Sequence, residues 1–66
     1  MQVRVNGEWK DLGKQTSVAA LLGELSLNPL RVAVERNKQL VPRSVHTDTM
    51  LCDADELEIV TLVGGG

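Results

Sequence analysis

The sequence predicts an α+β fold in which one main helix packs across one face of a mixed β-sheet. Two short segments of alternating polarity open the chain, one amphipathic segment follows, and another alternating segment closes it. A right-handed connection through the helix would place the first and last strands side by side and parallel. The 66 residues are 42% hydrophobic and 24% charged, which indicates one small globular domain with little volume for an enclosed active site. This size disfavours an enzyme.

The chain opens with a predicted β-hairpin. Residues 2–5 alternate in polarity, as a half-buried strand does. Asn6-Gly7 favours a tight turn because both residues tolerate positive φ. A two-residue loop would place Glu8 opposite Val5 on the buried face, whereas a three-residue loop places Trp9 there. We therefore predict the three-residue loop 6–8, with Trp9 in the core.

One amphipathic helix is predicted after the hairpin. Thr16 and Ser17 offer an N-cap, and Gly23 lies on the outer face, where it weakens the helix by about 1 kcal/mol relative to alanine. Asn28-Pro29 is expected to end the helix, because the residue before a proline disfavours the α region. Leu27 is expected to pack beneath the helix exit. The apolar stripe recurs at helical spacing and consists of Val18, Leu21, Leu22 and Leu25.

The second half of the chain is predicted to form short strands and turns. A strand over 32–36 is followed by a turn at Asn37-Lys38 and a short strand over 39–41, which Pro42 ends. Residues 43–52 are predicted to be irregular with one turn of 3₁₀ helix, and both Met50 and Leu51 are expected to be buried. A turn over 53–55 precedes the final strand, 56–63. This order of elements is the β-grasp arrangement, with residues 1–63 as the domain and residues 64–66 as a flexible glycine tail.

The tail consists of Gly64, Gly65 and Gly66. A segment without Cβ atoms is narrow and flexible, so it can be threaded into a partner's site. A frayed end or a remnant of a linker would have the same composition. No side chain elsewhere forms a recognisable catalytic arrangement. We therefore predict that the α-carboxylate of Gly66 is the functional group, and that Gly64 and Gly65 thread it into the partner.

The outer face of the last strand carries unexpected apolar residues. Alternation directs Leu57 and Ile59 inward, so Val60 and Leu62 fall on the face away from the helix. Isolated exposed aliphatic side chains are common, but these two adjoin the glycine tail, which favours a surface that docks on a partner. We assign Val60, Leu62 and Val63 to this partner-docking surface.

The remaining candidate groups are interpreted as structural. The acidic cluster lacks the glycine and the terminal glutamate of a calcium loop, so we predict a turn and a solvated strand edge and no metal site. His46 is expected to be a surface or loop histidine, and Cys52 a small half-buried residue with no cation nearby in sequence. We predict no catalytic side chain. The acidic cluster consists of Asp53, Asp55, Glu56 and Glu58, and the basic residues read as a solvated face are Arg31, Arg36, Lys38 and Arg43.

Composition also restricts the compartment and the partners. The net charge of −2 and the single aromatic residue, Trp9, disfavour nucleic-acid binding. One cysteine allows no internal disulfide, and the first residues lack the apolar core of a signal peptide. No run of apolar residues is long enough to span a membrane. We predict a cytoplasmic protein that binds neither nucleic acid nor membrane.

Four segments of the sequence are informative together: residues 3–7 (VRVNG), 32–37 (VAVERN), 40–43 (LVPR) and 57–66 (LEIVTLVGGG). They resemble the ubiquitin-like sulfur carriers of bacterial thiamin biosynthesis, a family with the β-grasp fold. The resemblance covers essentially the whole chain. Its terminal diglycine is shared by all β-grasp sulfur carriers, whereas the middle segments and the short length are more specific for the thiamin branch.

The resemblance implies a sequence of reactions at Gly66. An E1-like adenylyltransferase of the ThiF type would use ATP and Mg²⁺ to form an acyl-adenylate, so the carrier itself would bind no cofactor. Sulfur from a donor such as a cysteine desulfurase would displace AMP and leave a thiocarboxylate. Thiazole synthase of the ThiG type would accept that sulfur.

Other functions fit the same fold. The chain could serve as the small subunit of a molybdopterin synthase, although those subunits are usually longer and contain aromatic residues that this chain lacks. It could also be a β-grasp interaction module or a modifier attached to lysines. These alternatives differ in whether the Gly66 carboxylate reacts, and with what.

Overall fold

Five strands form one mixed sheet in the computed structural model, which describes residues 1–62. Their order across the sheet is β2-β1-β5-β3-β4. β1 and β5 pair in parallel, and the other neighbours are antiparallel, which confirms the predicted β-grasp arrangement. The strands are β1 (Gln2–Val5), β2 (Glu8–Asp11), β3 (Val32–Arg36), β4 (Gln39–Leu40) and β5 (Glu56–Thr61). The predicted domain boundary at Val63 and the glycines after it lie outside the described residues.

The helix α1 (Val18–Glu24) begins as predicted and ends earlier than predicted. The Ser17 side chain caps it by accepting a hydrogen bond from the Ala20 backbone N–H at 3.0 Å. Ser26 adopts the left-handed conformation, with φ of 57°. The N–H of Leu27 then donates to the carbonyl of Leu22 at 2.9 Å, the bond that closes a Schellman motif. The helix thus ends at its own cap, before the predicted stop at Asn28-Pro29.

The core lies between α1 and one face of the sheet. Leu21 of the helix and Leu57 of β5 are completely buried, and the predicted stripe faces inward along the helix. Leu25 and Leu27 pack partly buried against the same cluster, as expected for the helix exit. The core residues are Val3, Val5, Leu12, Val18, Leu21, Leu22, Val32, Val34, Val41, Leu51, Leu57 and Ile59.

The predicted register of the first hairpin is wrong. The loop has two residues, Val5 pairs with Glu8, and Trp9 pairs with Arg4 on the opposite face, where it is 58% exposed. Asn6 (φ 50°) and Gly7 (φ 84°) both have positive φ, as a type I′ turn requires. The edge strand β2 leaves Glu8 exposed, so the pairing with Val5 does not bury a carboxylate.

Asn6 has a second role that fixes this loop. Its side-chain Nδ2 donates to the carbonyl of Ile59 at 3.0 Å, and its Oδ1 accepts from the N–H of Ile59 at 2.7 Å. The amide therefore continues the hydrogen bonding of β1 along β5, beyond the point at which the β1 backbone turns away. A longer loop would lose this pair of bonds.

The second half of the chain follows the prediction with three differences. The first is that β5 ends at Thr61, whereas the predicted final strand spans 56–63, and Leu62 already lies outside it. Asn37 (φ 51°) and Lys38 (φ 70°) form the turn between β3 and β4, and a 3₁₀ turn spans Arg43–Val45. β4 ends at Leu40, one residue earlier than expected. Leu51 is buried as predicted, but Met50 is exposed. Met50 forms a bridge with Ser17, and neighbouring residues of extended backbone direct their side chains to opposite sides.

Two glycine substitutions are expected to change stability in opposite directions. A Cβ at Gly23 would meet no atom within 4 Å, so Gly23→Ala should raise the free energy of unfolding by about 0.5–1 kcal/mol. Gly7→Ala, equally free of contacts, should lower it by about 1 kcal/mol because Gly7 has φ of +84°. Urea unfolding of the three proteins measures both changes. A destabilised Gly23→Ala variant would contradict the helix geometry described here.

Candidate functional site

The outer side of β5 carries the predicted apolar residues. Val60 is 53% exposed and Leu62 is 46% exposed, while Leu57 and Ile59 of the same strand are buried. Val60 and Leu62 are thus exposed on the face away from α1, as predicted. The predicted docking residue Val63 lies outside the described residues.

Two further residues extend this apolar surface across the sheet. Val60 pairs with Ala33 of β3, and Leu40 of β4, which is 65% exposed, lies opposite Glu35 on the same face. We call the surface formed by Ala33, Leu40, Val60 and Leu62 the docking face. Sequence reasoning missed Leu40 because its direction depends on the register of β4 with β3, which the alternation of a two-residue strand does not specify.

The backbone at Leu62 is fixed to the sheet. The N–H of Leu62 donates to the carbonyl of Arg31 at 2.8 Å. The hydrogen bonding between the last strand and the β3 side of the sheet therefore continues one residue beyond the end of β5. Four residues, Val63 to Gly66, follow it in the sequence and lie outside the described part. A fully extended chain of four residues spans at most about 14 Å. Any protein that reacts with Gly66 must therefore approach within this distance of Leu62.

The acidic cluster contains one structural carboxylate, Asp55. It accepts hydrogen bonds from the Cys52 backbone N–H at 2.7 Å, from Arg36 Nε at 2.8 Å and from Asn37 Nδ2 at 3.1 Å. Asn37 Oδ1 in turn accepts from the N–H of Glu56 at 3.0 Å. These bonds tie the β3–β4 turn to the first residue of β5. The cluster therefore does not act as a whole, since Asp55 is buried and the other members are exposed.

The hydrogen bonds of Asp55 also determine its ionisation. Burial alone would raise the pKa of this carboxyl group. The bonds from the Cys52 backbone, Arg36 and Asn37, together with the charge of Arg36, outweigh burial and lower the pKa below its usual value. The Asp55 bond likewise raises the pKa of Arg36. Asp55 is thus a charged, fully bonded group at the base of β5.

The structure corrects the predicted exposure of two residues. His46 lies in the turn after the 3₁₀ helix, as expected for a loop histidine. It is only 5% exposed, however, and its Nε2 lies 3.0 Å from the carbonyl of Val41. Cys52 is exposed, and an Arg36 guanidinium nitrogen lies 3.5 Å from its Sγ. Arg36 and Cys52 are 16 residues apart in the sequence, and they meet in the fold because both donate a hydrogen bond to Asp55.

Residues 1–62 contain neither a group of metal ligands nor a membrane-spanning helix. Within residues 1–62, no three or more His, Cys, Asp or Glu side chains are grouped as metal ligands would be. In the same part of the chain, no helix is long and apolar enough to cross a membrane. Gly64, Gly65 and Gly66 lie outside the described residues, so their predicted roles rest on the sequence.

Comparison with known proteins identifies relatives over the whole chain. The model of the ThiS family matches residues 3–66. The chain is 38% identical to the sulfur carrier protein ThiS of Bacillus subtilis, over 97% of this chain and 98% of that protein. The crystal structure of the thiamine biosynthesis protein (ThiS) from Geobacter metallireducens superposes with a TM-score of 0.86 at 29% identity, covering 100% of both chains.

A longer relative matches with higher identity. A thiazole synthase of Paramagnetospirillum magneticum is 44% identical over 66 residues, which are 100% of this chain and 20% of that protein. The chain therefore spans about one fifth of the length of that relative. The similarity applies to the matching segment of the longer protein.

Replacing Asp55 is expected to make stability less dependent on pH. A carboxyl group whose pKa is lower in the folded protein stabilises the fold above its unfolded pKa, about 3.9, and loses this contribution as the pH falls through the folded pKa. Asp55→Asn should therefore lower the free energy of unfolding by about 1–3 kcal/mol at pH 7, and the difference should shrink below about pH 4. Urea unfolding at a series of pH values measures this.

Asp48→Asn is the matched control for this experiment. Asp48 is exposed, so the same change of charge should alter the free energy of unfolding by less than about 0.5 kcal/mol. Parallel pH profiles for the wild-type protein and Asp55→Asn would contradict the role assigned to Asp55.

Proposed function

The chain belongs to the ThiS family of sulfur carriers in thiamin biosynthesis, and we propose that the carboxyl group of Gly66 carries the sulfur as a thiocarboxylate. The observation that supports this most directly is the exposed docking face, which includes the last described residue, Leu62. The fold then holds the partner while residues 63–66 enter its active site.

The chemistry requires an activated carboxylate. A carboxylate is a poor electrophile, so an E1-like adenylyltransferase with ATP and Mg²⁺ first transfers AMP to a Gly66 oxygen and releases pyrophosphate. The outer sulfur of a persulfide on a donor such as a cysteine desulfurase then attacks the acyl carbon, and AMP leaves with that oxygen. A second thiol reduces the resulting acyl disulfide, which releases the Gly66 thiocarboxylate and leaves a disulfide between the second thiol and the donor cysteine. The acyl-adenylate is a mixed anhydride that water would hydrolyse, so the partner's site must exclude water.

The glycines suit this task for steric and energetic reasons. Residues without Cβ can pass through a channel that other residues would block. Ordering three of them costs about 1–2 kcal/mol each in backbone entropy. Contacts at the docking face offset this cost, which gives the exposed apolar side chains of β5 a function.

We propose thiazole synthase as the protein that accepts the sulfur. The support is the Paramagnetospirillum magneticum thiazole synthase, in which a segment 44% identical to this chain occupies 20% of the protein. A segment of one polypeptide that resembles this chain implies that the two parts work together there. We propose that this chain likewise associates with a thiazole synthase.

The function is tested by intact-mass measurement. Incubation with the adenylyltransferase, ATP, Mg²⁺, cysteine, a cysteine desulfurase and a thiol reductant should raise the mass by the difference between sulfur and oxygen. A variant extended by one alanine after Gly66 should keep its original mass because its terminal carboxylate is displaced. An unchanged mass of the wild-type chain with an enzyme active on another carrier would exclude the proposal. Conjugates heavier by whole proteins would instead indicate a modifier attached to lysines.

Polar substitutions in the docking face should weaken the reaction without unfolding the protein. Val60→Ser and Leu62→Ser should each raise the KM for the carrier in adenylation by about tenfold, because each removes apolar area that the partner would bury. Their free energies of unfolding should change by less than about 0.5 kcal/mol because both side chains are exposed.

Met50→Ser provides the matched control for these variants. Met50 is also exposed, but it pairs with Ser17 at the start of α1, on the helical side of the molecule. The KM of the Met50→Ser variant should equal that of the wild type. An increase in KM for Met50→Ser as large as for Val60→Ser would contradict the assignment of the docking face.

A further inference from the structure

Two carboxylates lie directly opposite each other on the outer face of the sheet. Glu35 of β3 and Glu58 of β5 are cross-strand partners, and both are exposed. Side chains in this relation have Cβ atoms about 4.5–5.5 Å apart, and like charges at this distance destabilise the sheet. The fold thus tolerates an unfavourable pair in the middle of its surface.

The described residues do not neutralise this pair. Within residues 1–62, the ion pairs between side chains are Arg4–Glu56 and Arg36–Asp55. Neither includes Glu35 or Glu58. The outer face therefore presents two uncompensated negative charges, which a partner of opposite charge would complement.

The carboxylate pair is continuous with the docking face. Val60 and Ala33 form the next pair with the same orientation along the two strands, and Leu40 lies opposite Glu35 on the other side. Glu58 and Leu62 are four residues apart in the sequence, which is about 13 Å along an extended chain. Apolar side chains thus flank the two charges on two sides.

A partner that acts on Gly66 would cover these carboxylates. Residues 63–66 allow the Gly66 carboxylate to lie no more than about 14 Å from Leu62. A protein interface of standard size buries about 800 Å² on each partner, the area of a circle of about 16 Å radius. An interface centred near Leu62 therefore includes Glu58 and Glu35. Removing two carboxylates from water is unfavourable unless a cation pairs with them.

We propose that the sulfur-accepting partner, the thiazole synthase proposed above, places an arginine side chain between Glu35 and Glu58 and apolar side chains over the docking face. This inference rests on the proposed function. A guanidinium group has five N–H donors in a planar arrangement and can bond two carboxylates at once. The pair is then unfavourable in the free carrier and favourable in the complex.

This arrangement predicts that stability and binding change in opposite directions. Glu58→Gln and Glu35→Gln each remove the repulsion, so the midpoint of thermal unfolding should rise by about 1–5 °C. Each should also weaken binding to purified thiazole synthase by about tenfold or more, because an interfacial cation loses its partner. Differential scanning fluorimetry and isothermal titration calorimetry measure the two effects.

Glu24→Gln is the control for charge. Glu24 is exposed at the end of α1, which covers the other side of the sheet, and its replacement changes the net charge by the same amount. Its dissociation constant should equal that of the wild type. Raising the ionic strength should weaken the wild-type complex more than the Glu58→Gln complex.

The outcomes separate this inference from the function on which it rests. Equal affinities for the wild type, Glu35→Gln and Glu58→Gln would overturn the arginine contact and leave the carrier function intact, since the wild-type complex would have formed. Weakening by Glu24→Gln to the same degree would also overturn it. If the wild type neither binds thiazole synthase nor gains sulfur in the mass experiment, both proposals fail.

Discussion

The parallel pairing of β1 with β5 is the constraint on which the rest of the structure depends. It places β5 between β1 and β3, so both edges of β5 are hydrogen-bonded and its two sets of side chains have fixed directions. Leu57 and Ile59 complete the core, while Glu58 and Val60 face outward. The Asn6 amide extends this pairing to Ile59. One strand thus contributes to the core on one side and carries the proposed docking face on the other.

The outer face of the sheet carries side chains that do not stabilise the isolated protein. A domain of this size buries only about 60% of its unfolded surface and is marginally stable. It nevertheless leaves Leu40, Val60 and Leu62 exposed and places Glu35 against Glu58. Neither feature stabilises the isolated protein. Both become favourable only when another surface covers them, which is the physical argument for reading this face as an interface.

Local signals in the sequence predicted most of the elements but not every contact. The Ser17 cap, the stripe from Val18 to Leu25 and the alternation in β5 depend on residues close in sequence, so their patterns were sufficient. The register of Trp9 was wrong because it depends on which strand forms the edge and on the side-chain bonds of Asn6 to a residue far along the chain. The burial of His46 and the contact of Arg36 with Cys52 likewise depend on tertiary packing, which periodicity does not specify.

The proposed carrier role also limits how tightly the docking face can bind. Because residues 63–66 reach only about 14 Å from Leu62, all partners that act on Gly66 must approach the same end of β5, and we expect them to exclude one another. Transfer from the adenylyltransferase to the sulfur acceptor then requires dissociation. With an association rate near 10⁶ M⁻¹s⁻¹, dissociation at about 1 s⁻¹ or faster corresponds to a dissociation constant of about 1 μM or weaker. A small apolar patch combined with a pair of charges suits this range, because the cost of removing the charges from water offsets part of their attraction to a cation of the partner.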